Sequence, residues 1–352
     1  MPLSEASGKE IAKLMASWTE KMGFPMVTVT SHQNQNNRIL TLTQKRFIAD
    51  GSPDEKNQEW VIPISVRTSK KSSKLAKDFV LDSKTSKIVL EDVSEDDWIK
   101  VNVNSVGFYR TQYPSEMLNV LQQPISAKVL PPLDRLGVID DLFAMVQAGY
   151  SSTVDVLRFL KSYEDETNYT VWASIHNITA QINQLVSHTS FQPLYQTFIR
   201  RILAKIFIET GWDSKPNENH LDTLLRSLVL QRLGTYGDES VFEEAKKRFV
   251  AHVNGTQKIP ADLRSAVYRT VMSHDSETYF TQMLQGGNLF ARLITSITEN
   301  YASEEMASEV EEFFKDKQIM GTERSIQQAV ECIRLNSAWL KRDAESGFKR
   351  YR

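Results

Sequence analysis

The chain has 352 residues, of which 41% are hydrophobic and 24% are charged, as is ordinary for a globular protein that can bury a core. This length predicts two or three domains. The formal net charge of −2 gives no electrostatic case for nucleic acid or an anionic membrane, and no apolar run approaches the roughly 20 residues that span a bilayer. We therefore expect neither a nucleic-acid partner nor a membrane partner.

The N-terminal sequence and the cysteine content indicate a cytoplasmic protein. The first residues, MPLSEASGKE, lack the basic region and apolar core of a secretory signal. The single cysteine, Cys332, excludes an internal disulfide and fits a reducing compartment. We expect Cys332 to be a buried thiol on the last helix, and we expect the Asn-x-Thr triplets at Asn168, Asn177 and Asn254 to be unmodified.

A helix is predicted over residues 5–22, because apolar side chains recur there at helical spacing and Gly23 and Pro25 then stop the pattern. The apolar positions are Ile11, Leu14, Met15 and Trp18. A single amphipathic helix cannot bury its own apolar stripe. This helix must therefore dock elsewhere in the chain or on another domain.

From Phe24 to about Tyr113 the apolar period changes to two, which predicts short strands and a small β-sandwich. Pro63 predicts an edge strand or a bulge. A basic cluster between strands is interpreted as a solvated loop rather than a binding patch. The predicted strands are Met26–Thr30, Arg38–Phe47, Glu59–Thr68, Lys87–Leu90, Trp98–Asn102 and Gly107–Gln112, and the basic cluster is Lys70, Lys71, Lys74 and Lys77.

Residues 124–132 are interpreted as a linker, and nearly everything beyond them is predicted to be helical. Many short helices without long loops predict an α-solenoid of the HEAT or armadillo type, although no strict sequence repeat is present. The predicted helices are Leu133–Ala148, Thr153–Ser162, Tyr169–Val186, Phe191–Thr210, Glu218–Leu233, Ser240–Val253, one that starts at Pro260, Leu289–Asn300, Ser303–Lys315 and one that starts at Thr322.

The chain carries no catalytic motif that we can identify. It has no His-Glu-x-x-His zinc motif, no phosphate-binding loop and no G-x-S-x-G nucleophile elbow. The acidic pairs Asp96-Asp97, Asp140-Asp141 and Glu243-Glu244 are interpreted as turn residues or solvated faces, because adjacent helical residues do not converge. The six histidines are interpreted as surface or structural residues: His32, His176, His188, His220, His252 and His274.

Four stretches in order resemble the M1 family of zinc aminopeptidases, and most of all its cytosolic, puromycin-sensitive branch. Residues 18–25, WTEKMGFP, are similar to the family segment in which the catalytic domain gives way to a β-sandwich. RILTLTQKRF (38–47), WIKVNVNSVGFYRTQY (98–113) and LPPLDRLGVIDDLFAMVQAG (130–149) resemble later sandwich strands and the first helix of the C-terminal domain. Further supporting stretches are NYTVW, GWDSKP, HLDTLLRSLVL, ADLRSAVY and NSAWLKRDAES.

The resemblance implies three regions: a helical remnant of the catalytic domain (1–22), a β-sandwich domain (23–113) and a helical domain (114–352) that is shortened near 284–289. It also implies that the catalytic zinc and its ligands belong to an upstream catalytic domain of a parent enzyme that acts on peptides. No catalytic residue and no metal ligand is carried over onto this sequence. We therefore expect no cofactor in this chain and no activity from the chain alone.

Two alternatives stay open at this stage. Gly107-Phe108-Tyr109-Arg110 is interpreted as structural, with Arg110 bridging the sandwich and the helices. The rival interpretation is that Arg110 or Arg135 contacts a peptide carboxylate, since arginine binds carboxylates in a bidentate manner. At the level of function, the alternative to an aminopeptidase spacer and lid is a non-enzymatic scaffold or regulator that binds proteins.

Overall fold

The computed structural model describes residues 11–274, 301–315 and 323–346, with residues 5, 8 and 298. They fall into two units, Met1–Ile175 and His176–Arg352. The domain bounds 1–22, 23–113 and 114–352 stay predictions, and the expected shortening near 284–289 lies outside the described residues, as does almost all of the helix expected over 289–300.

After one N-terminal helix, the strands precede the remaining described helices, which confirms the predicted order of β and α regions. The described strands are β1 (Pro25–Asn34), β2 (Asn37–Arg46), β3 (Ile62–Thr68), β4 (Lys77–Leu81), β5 (Thr85–Leu90), β6 (Ile99–Val101) and β7 (Arg110–Gln112). One sheet has the order β5-β2-β1-β7 and the other has the order β4-β3-β6. All pairs are antiparallel except β1 with β7, which run parallel.

Alternation along β2 shows how the sequence makes this region. Its residues are buried at every second position, from Arg38 to Gln44. The Gln44 amide then joins β2 to the segment before β3, because it donates to the Trp60 carbonyl at 2.9 Å and accepts from the Trp60 N–H at 2.7 Å. Pro63 lies on β3, the middle strand of its sheet, where only β4 pairs with it.

Strand β4 was not predicted, because only Leu81 of its five residues is buried and no apolar alternation marks it. The first helix, α1 (Ile11–Thr19), docks on the β region. Trp18 Nε1 donates to the Val61 carbonyl at 3.1 Å, and Val61 N donates to Ser17 Oγ at 3.1 Å. The N-terminal helix therefore finds its partner within this chain.

The described helices that follow are α2 (Ser115–Ser126), α3 (Pro132–Gln147), α4 (Thr153–Leu160), α5 (Tyr169–Val186), α6 (Gln192–Thr210), α7 (His220–Thr235), α8 (Glu239–Val253), α9 (Arg264–His274), α10 (Glu304–Lys315) and α11 (Glu323–Ser346). The linker prediction for 124–132 is wrong at its start, because Pro124 lies in the last turn of α2. The Pro124 carbonyl accepts from Val129 N and Leu130 N at 2.9 and 3.2 Å. The solenoid character stays a prediction, and none of the described helices is long and apolar enough to cross a membrane.

Part of α11 is buried against α10. Val330 and Ile333 pack with Ala307 and Val310 of α10. Cys332 is exposed, so the expectation of a buried thiol is wrong. A residue next to Ile333 in sequence points about 100° away from it on a helix.

Close helix packing in the second unit depends on one glycine. A Cβ at Gly234 of α7 would lie 1.9 Å from Thr270 Oγ1 of α9. Such a distance is far inside van der Waals contact, so only glycine permits this crossing.

Candidate functional site

Helix α3 carries four charged residues, and three of them are buried: Asp134, Arg135 and Asp141. The fourth, Asp140, is half-buried and its Oδ1 accepts a hydrogen bond from Ser174 Oγ. Burial raises the pKa of Asp140 above its ordinary value, and the hydrogen bond from Ser174 and the charge of Arg110 oppose the rise. The expectation that Asp140-Asp141 forms a solvated face is therefore wrong.

Asp134 is bound by residues of the second sheet and of the segment that follows β6. Arg67 of β3 donates to Oδ2 at 3.0 Å, and the Asn104 N–H donates to Oδ1 at 2.5 Å. Lys100 of β6 is 1% exposed and places Nζ 3.6 Å from Oδ1. Burial lowers the pKa of Lys100, while the charges of Asp134 and Asp141 oppose this shift.

The Lys100 ammonium also donates to the Val101 and Asn102 carbonyls, at 2.6 and 2.8 Å. The residues that follow it adopt left-handed backbone angles, with φ of 61° at Asn102, 56° at Asn104 and 52° at Ser105. Such angles are uncommon for residues with a side chain. They raise the conformational energy of the backbone, and surrounding contacts must offset this cost. The bond from Asn104 N to Asp134 holds this segment against α3.

A glycine lets the same segment approach the helix. A Cβ at Gly137 would lie 2.0 Å from Ser105 Oγ. The Ser105 hydroxyl uses this space to donate to the Leu133 carbonyl at 3.1 Å. The close approach therefore accounts for a glycine in the interior of α3, where glycine is otherwise unfavourable.

Asp141 fastens the first sheet to α3. Its Oδ1 lies 3.2 Å from Arg110 Nη1, and its Oδ2 accepts from the Thr111 N–H at 2.9 Å, so both contacts are to β7. Burial raises the pKa of Asp141 to about 6, although the charges of Arg110 and Lys100 oppose the rise. Arg110 thus bridges strand and helix, and its side chain stays 36% exposed.

Arg135 forms a fully enclosed ion pair with Glu166. Its Nε and Nη2 donate to the two carboxylate oxygens at 2.6 and 2.8 Å, and Nη1 donates to the Leu130 carbonyl at 2.6 Å. Glu166 also accepts from Thr167 N and Asn168 N at 2.9 and 2.8 Å. Burial favours a higher pKa for Glu166, but the hydrogen bonds from Arg135 and Asn168 outweigh it and lower the pKa.

This arrangement is suited to holding elements together. The charges of α3 are bound to β3, β6 and β7 and to the segment between α4 and α5. Phe108 is 68% exposed and Tyr109 is 5% exposed, and both precede β7, which begins only at Arg110 rather than at the predicted Gly107. Arg110 and Arg135 pair with different carboxylates, and contact of either one with a peptide stays a prediction.

Sequence reasoning missed five of these residues: Arg67, Lys100, Asp134, Asp141 and Glu166. A signal existed for two of them. Asp134 and Asp141 share a helix face with Val138, because their spacings of four and three residues bring side chains to one side. Acidic residues on an apolar face indicate buried pairing rather than solvation.

Zinc is the metal that the family implies, and the described donors do not fit it. No group of three or more His, Cys, Asp or Glu among the described residues could hold a metal ion. His176 contacts Arg232, and burial together with the charges of Arg232 and Arg269 lowers its pKa to about 3. Two arginines beside the imidazole disfavour a cation, so we derive no step through zinc in this chain.

In the described residues, a two-sheet region is joined by buried ion pairs to the helices that follow it. The comparison with family profiles identifies the class of protein, because the ERAP1-like C-terminal domain matches residues 98–285. This match covers more than half of the chain, and the chain belongs to that family.

The curated relatives are aminopeptidases. The chain is 32% identical over 286 residues to the puromycin-sensitive aminopeptidase of Caenorhabditis elegans, covering 80% of this chain and 30% of that protein. It is 35% identical over 277 residues to aminopeptidase M1-A of Oryza sativa subsp. japonica, covering 77% and 31%. It is 24% identical over 436 aligned residues to aminopeptidase M1 of Arabidopsis thaliana, covering 96% and 48%. The chain therefore spans between about a third and a half of the length of these relatives.

Proposed function

We propose that this chain supplies the β-sandwich spacer and the helical lid of a zinc aminopeptidase that removes N-terminal residues from peptides. The support is the family membership together with relatives that are named puromycin-sensitive aminopeptidase and aminopeptidase M1. In this proposal the zinc and the catalytic groups belong to a catalytic domain with which this region is associated. The chain alone has no hydrolase activity, and it acts in the cytoplasm.

The observation that carries the proposal is the ion-pair junction around α3. Its carboxylates accept hydrogen bonds from partners within the protein, so they are suited to fixing geometry rather than to transferring protons. The first helices of the proposed lid belong to the same unit as the spacer, and the junction fixes them to it. Buried pairs with complementary hydrogen bonds make this attachment rigid.

The role of the two predicted arginines follows from their surroundings. Arg135 is 4% exposed and commits three nitrogens to internal acceptors, which favours positioning. Arg110 commits one nitrogen to Asp141 and is partly exposed, so it is the better candidate for a peptide carboxylate. A chimeric enzyme separates the two roles: Arg110→Met should raise KM for peptides if Arg110 contacts substrate, whereas a loss of stability with unchanged KM would indicate a structural role alone.

The proposal is tested with the purified chain and with a chimera. The isolated chain should contain no stoichiometric zinc and should not hydrolyse aminoacyl fluorophores. In the chimera, this chain replaces the region of the worm puromycin-sensitive aminopeptidase to which it aligns. That chimera should hydrolyse the substrate, and the same chimera with Glu166→Gln should lose activity as the junction loosens.

Two results would overturn the proposal. One is turnover by the isolated chain that a chelator abolishes and zinc restores. The other is a folded chimera with native zinc content that is inactive on peptides and on aminoacyl fluorophores.

The expected shortening of the helical region has support from the alignment lengths. The alignment with the Arabidopsis relative runs over 436 positions, which is more than the 352 residues of this chain. That relative therefore has segments with no counterpart here. A lid with fewer helices would enclose less of the cleft, so the chimera should accept longer peptides than the worm enzyme does.

A protein-binding role is the second candidate, and an exposed apolar group favours it. Val106 is 82% exposed and Phe108 is 68% exposed, and the Phe108 ring lies 5.0 Å from that of Phe24. Exposed apolar groups of this kind are typical of binding surfaces. Addition of the chain in trans to the worm enzyme tests this role: a saturable change in kcat/KM that Phe108→Ser abolishes would support regulation, and no change at micromolar chain would exclude it.

A further inference from the structure

Strand β4 lies at the edge of the three-stranded sheet, where β3 is its hydrogen-bonded neighbour. In an antiparallel pair, every second residue directs its N–H and C=O groups at the partner strand, and the residues between them direct theirs the other way. The register of β4 with β3 therefore shows which of its backbone groups point out of the sheet.

Two hydrogen bonds fix the alternation along β3. The Val66 carbonyl accepts from Ala76 N at 2.8 Å, at the start of the pair with β4. The Ser65 carbonyl accepts from Asn102 N at 3.0 Å, directly after β6. Val66 thus bonds towards β4, and Ser65 bonds towards β6.

Two residues of β4 therefore direct their backbone groups away from the sheet. Asp78 and Val80 lie opposite Ser65 and Pro63. Ser65 bonds to the other side, and Pro63 follows the same alternation and has no N–H. The N–H and C=O groups of Asp78 and Val80 face outwards, and the Val80 side chain beside them is 41% exposed.

The segments on both sides of β4 are strongly basic. Residues 69–87 contain six lysines and two aspartates, so their formal net charge is +4, although that of the whole chain is −2. Lys70 Nζ lies 3.7 Å from Asp97 Oδ2, and no described carboxylate forms an ion pair with the other five lysines. The six exposed lysines are Lys70, Lys71, Lys74, Lys77, Lys84 and Lys87.

Charge decides which strand this edge accepts. A lysine on an edge strand can act as protection against the addition of a second strand. β4 carries one lysine, Lys77, at its first position, and the other five lie in the flanking segments. Lysines repel a strand of like charge, but they attract an acidic one. The sequence alone does not show this combination, because β4 has no pattern that predicts a strand.

We propose that the outer edge of β4 binds an acidic peptide segment in extended conformation, which joins the sheet as a further strand. Backbone hydrogen bonds to Asp78 and Val80 give affinity, and the lysines select acidic side chains. A second copy of this chain would bring the same local charge of +4 and is repelled. A nucleic acid would satisfy the lysines but has no groups that extend a β-ladder. This binding does not depend on the proposed function.

The experiment titrates the whole chain into a labelled short peptide in which valine and glutamate alternate, and it follows fluorescence anisotropy. The wild type should bind this peptide saturably. The same peptide with methylated backbone nitrogens keeps its charge but cannot complete the ladder. It should bind more weakly by about tenfold or more, because about one net hydrogen bond is worth that factor. A peptide that alternates valine and lysine should not bind.

Charge reversal locates the site. The double variant Lys71→Glu/Lys74→Glu changes two exposed lysines of the cluster and should raise Kd by about tenfold or more. The matched control is Lys161→Glu/Lys258→Glu, which changes the net charge equally at exposed lysines outside the cluster. This control should bind the glutamate peptide as the wild type does.

A backbone variant tests the edge itself. Val80→Pro removes an N–H that faces outwards, and proline is tolerated on an edge strand at such a position. Binding of the glutamate peptide should be lost. If this variant does not fold, hydrogen exchange of the wild type gives a second readout, since saturating peptide should slow exchange in residues 77–81.

Five outcomes would overturn the proposal. The first three are no saturable binding of the glutamate peptide, equal binding of its methylated form, and equal binding by Lys71→Glu/Lys74→Glu and its control. The fourth is single-stranded DNA that binds as tightly as the peptide without slowing exchange in residues 77–81, which would assign the lysines to polyanions in general. The fifth is a dimer in sedimentation that Val80→Pro dissociates, which would assign the edge to a second copy.

Discussion

The side chain of Arg135 binds both carboxylate oxygens of Glu166 in a buried, bidentate pair. The Tyr163 hydroxyl donates to the Arg135 carbonyl at 2.7 Å, and Trp172 Nε1 donates to the Glu166 carbonyl at 2.8 Å. The two partners of the ion pair are therefore fixed through their main chains as well. This double fixation ties α3 to the segment that leads into α5.

Glu166→Gln should destabilise the chain by about 3–5 kcal/mol, because it leaves the Arg135 charge buried without its counter-charge. The pKa of Glu166 is lowered from its ordinary value of 4.5, so its contribution is present above that value and is lost as pH falls through the lower folded value. Urea unfolding at pH 7 and below pH 4 measures both effects.

Glu116→Gln, on the exposed side of α2, is the matched control and should change stability by less than about 0.5 kcal/mol. Equal urea midpoints for the wild type and Glu166→Gln at pH 7 would show that the pair does not stabilise the junction.

Asp141 should give the opposite pH dependence. Its folded pKa of about 6 is above the unfolded value of 3.8, so the folded chain binds more protons between these values. The stability contribution of Asp141 therefore falls as pH rises from about 4 to about 6. The shift corresponds to a free-energy change on the order of 2–3 kcal/mol.

Asp141→Asn removes this titration. The difference in unfolding free energy between the wild type and Asp141→Asn should favour the wild type more at pH 4 than at pH 7. Unfolding measurements at four pH values between 4 and 7 provide the check. A difference that is constant with pH, or that has the opposite sign, would contradict a raised pKa.

Gly137→Ala should destabilise the chain by about 1–3 kcal/mol, because the added Cβ meets Ser105 Oγ. The sign of the change in unfolding free energy is diagnostic, because a glycine-to-alanine substitution inside a helix otherwise stabilises a protein by up to about 1 kcal/mol. Ser105→Gly removes the obstructing hydroxyl and suits the positive φ of that residue.

In the Ser105→Gly background, Gly137→Ala should therefore be neutral or stabilising. A double-mutant cycle on urea unfolding measures the coupling. Additive effects of the two substitutions would mean that the clash is not the reason for glycine at this position.

Cys332 should react with an aromatic disulfide reagent in native buffer, because it is exposed on α11. The rate should be close to that of the urea-unfolded chain, and one equivalent of thiol should be released. Labelling that requires unfolding would show that the sulfur is covered in solution.

The β region and the helices could largely be predicted from the sequence, because the periods of two and 3.6 were clear in segments such as β2 and α1. Strand β4 could not be predicted, because its pairing with β3 rather than its own pattern defines it. The helix that includes Pro124 was missed for a similar reason, because a proline taken by itself predicts the end of a helix.

The junction was predicted only at Arg110. The partners of the α3 charges are distant in sequence, so no local pattern predicts them. Lys100 lies in β6, Arg67 in β3 and Glu166 in the segment before α5. Cys332 shows a different kind of error. It was predicted to be buried because its neighbours in sequence are apolar, but its side chain is exposed.

The parallel pairing of β1 with β7 sets an order for assembly during synthesis. β1 can pair with β2 as soon as that hairpin emerges, but its other edge needs a strand whose contact at Gln112 lies 84 residues beyond Thr28. Until the ribosome has released β7, one edge of β1 offers unpaired backbone groups to any other strand. A nascent chain stalled before residue 110 should therefore be the species most prone to aggregate, and chaperones would have most to do during that interval.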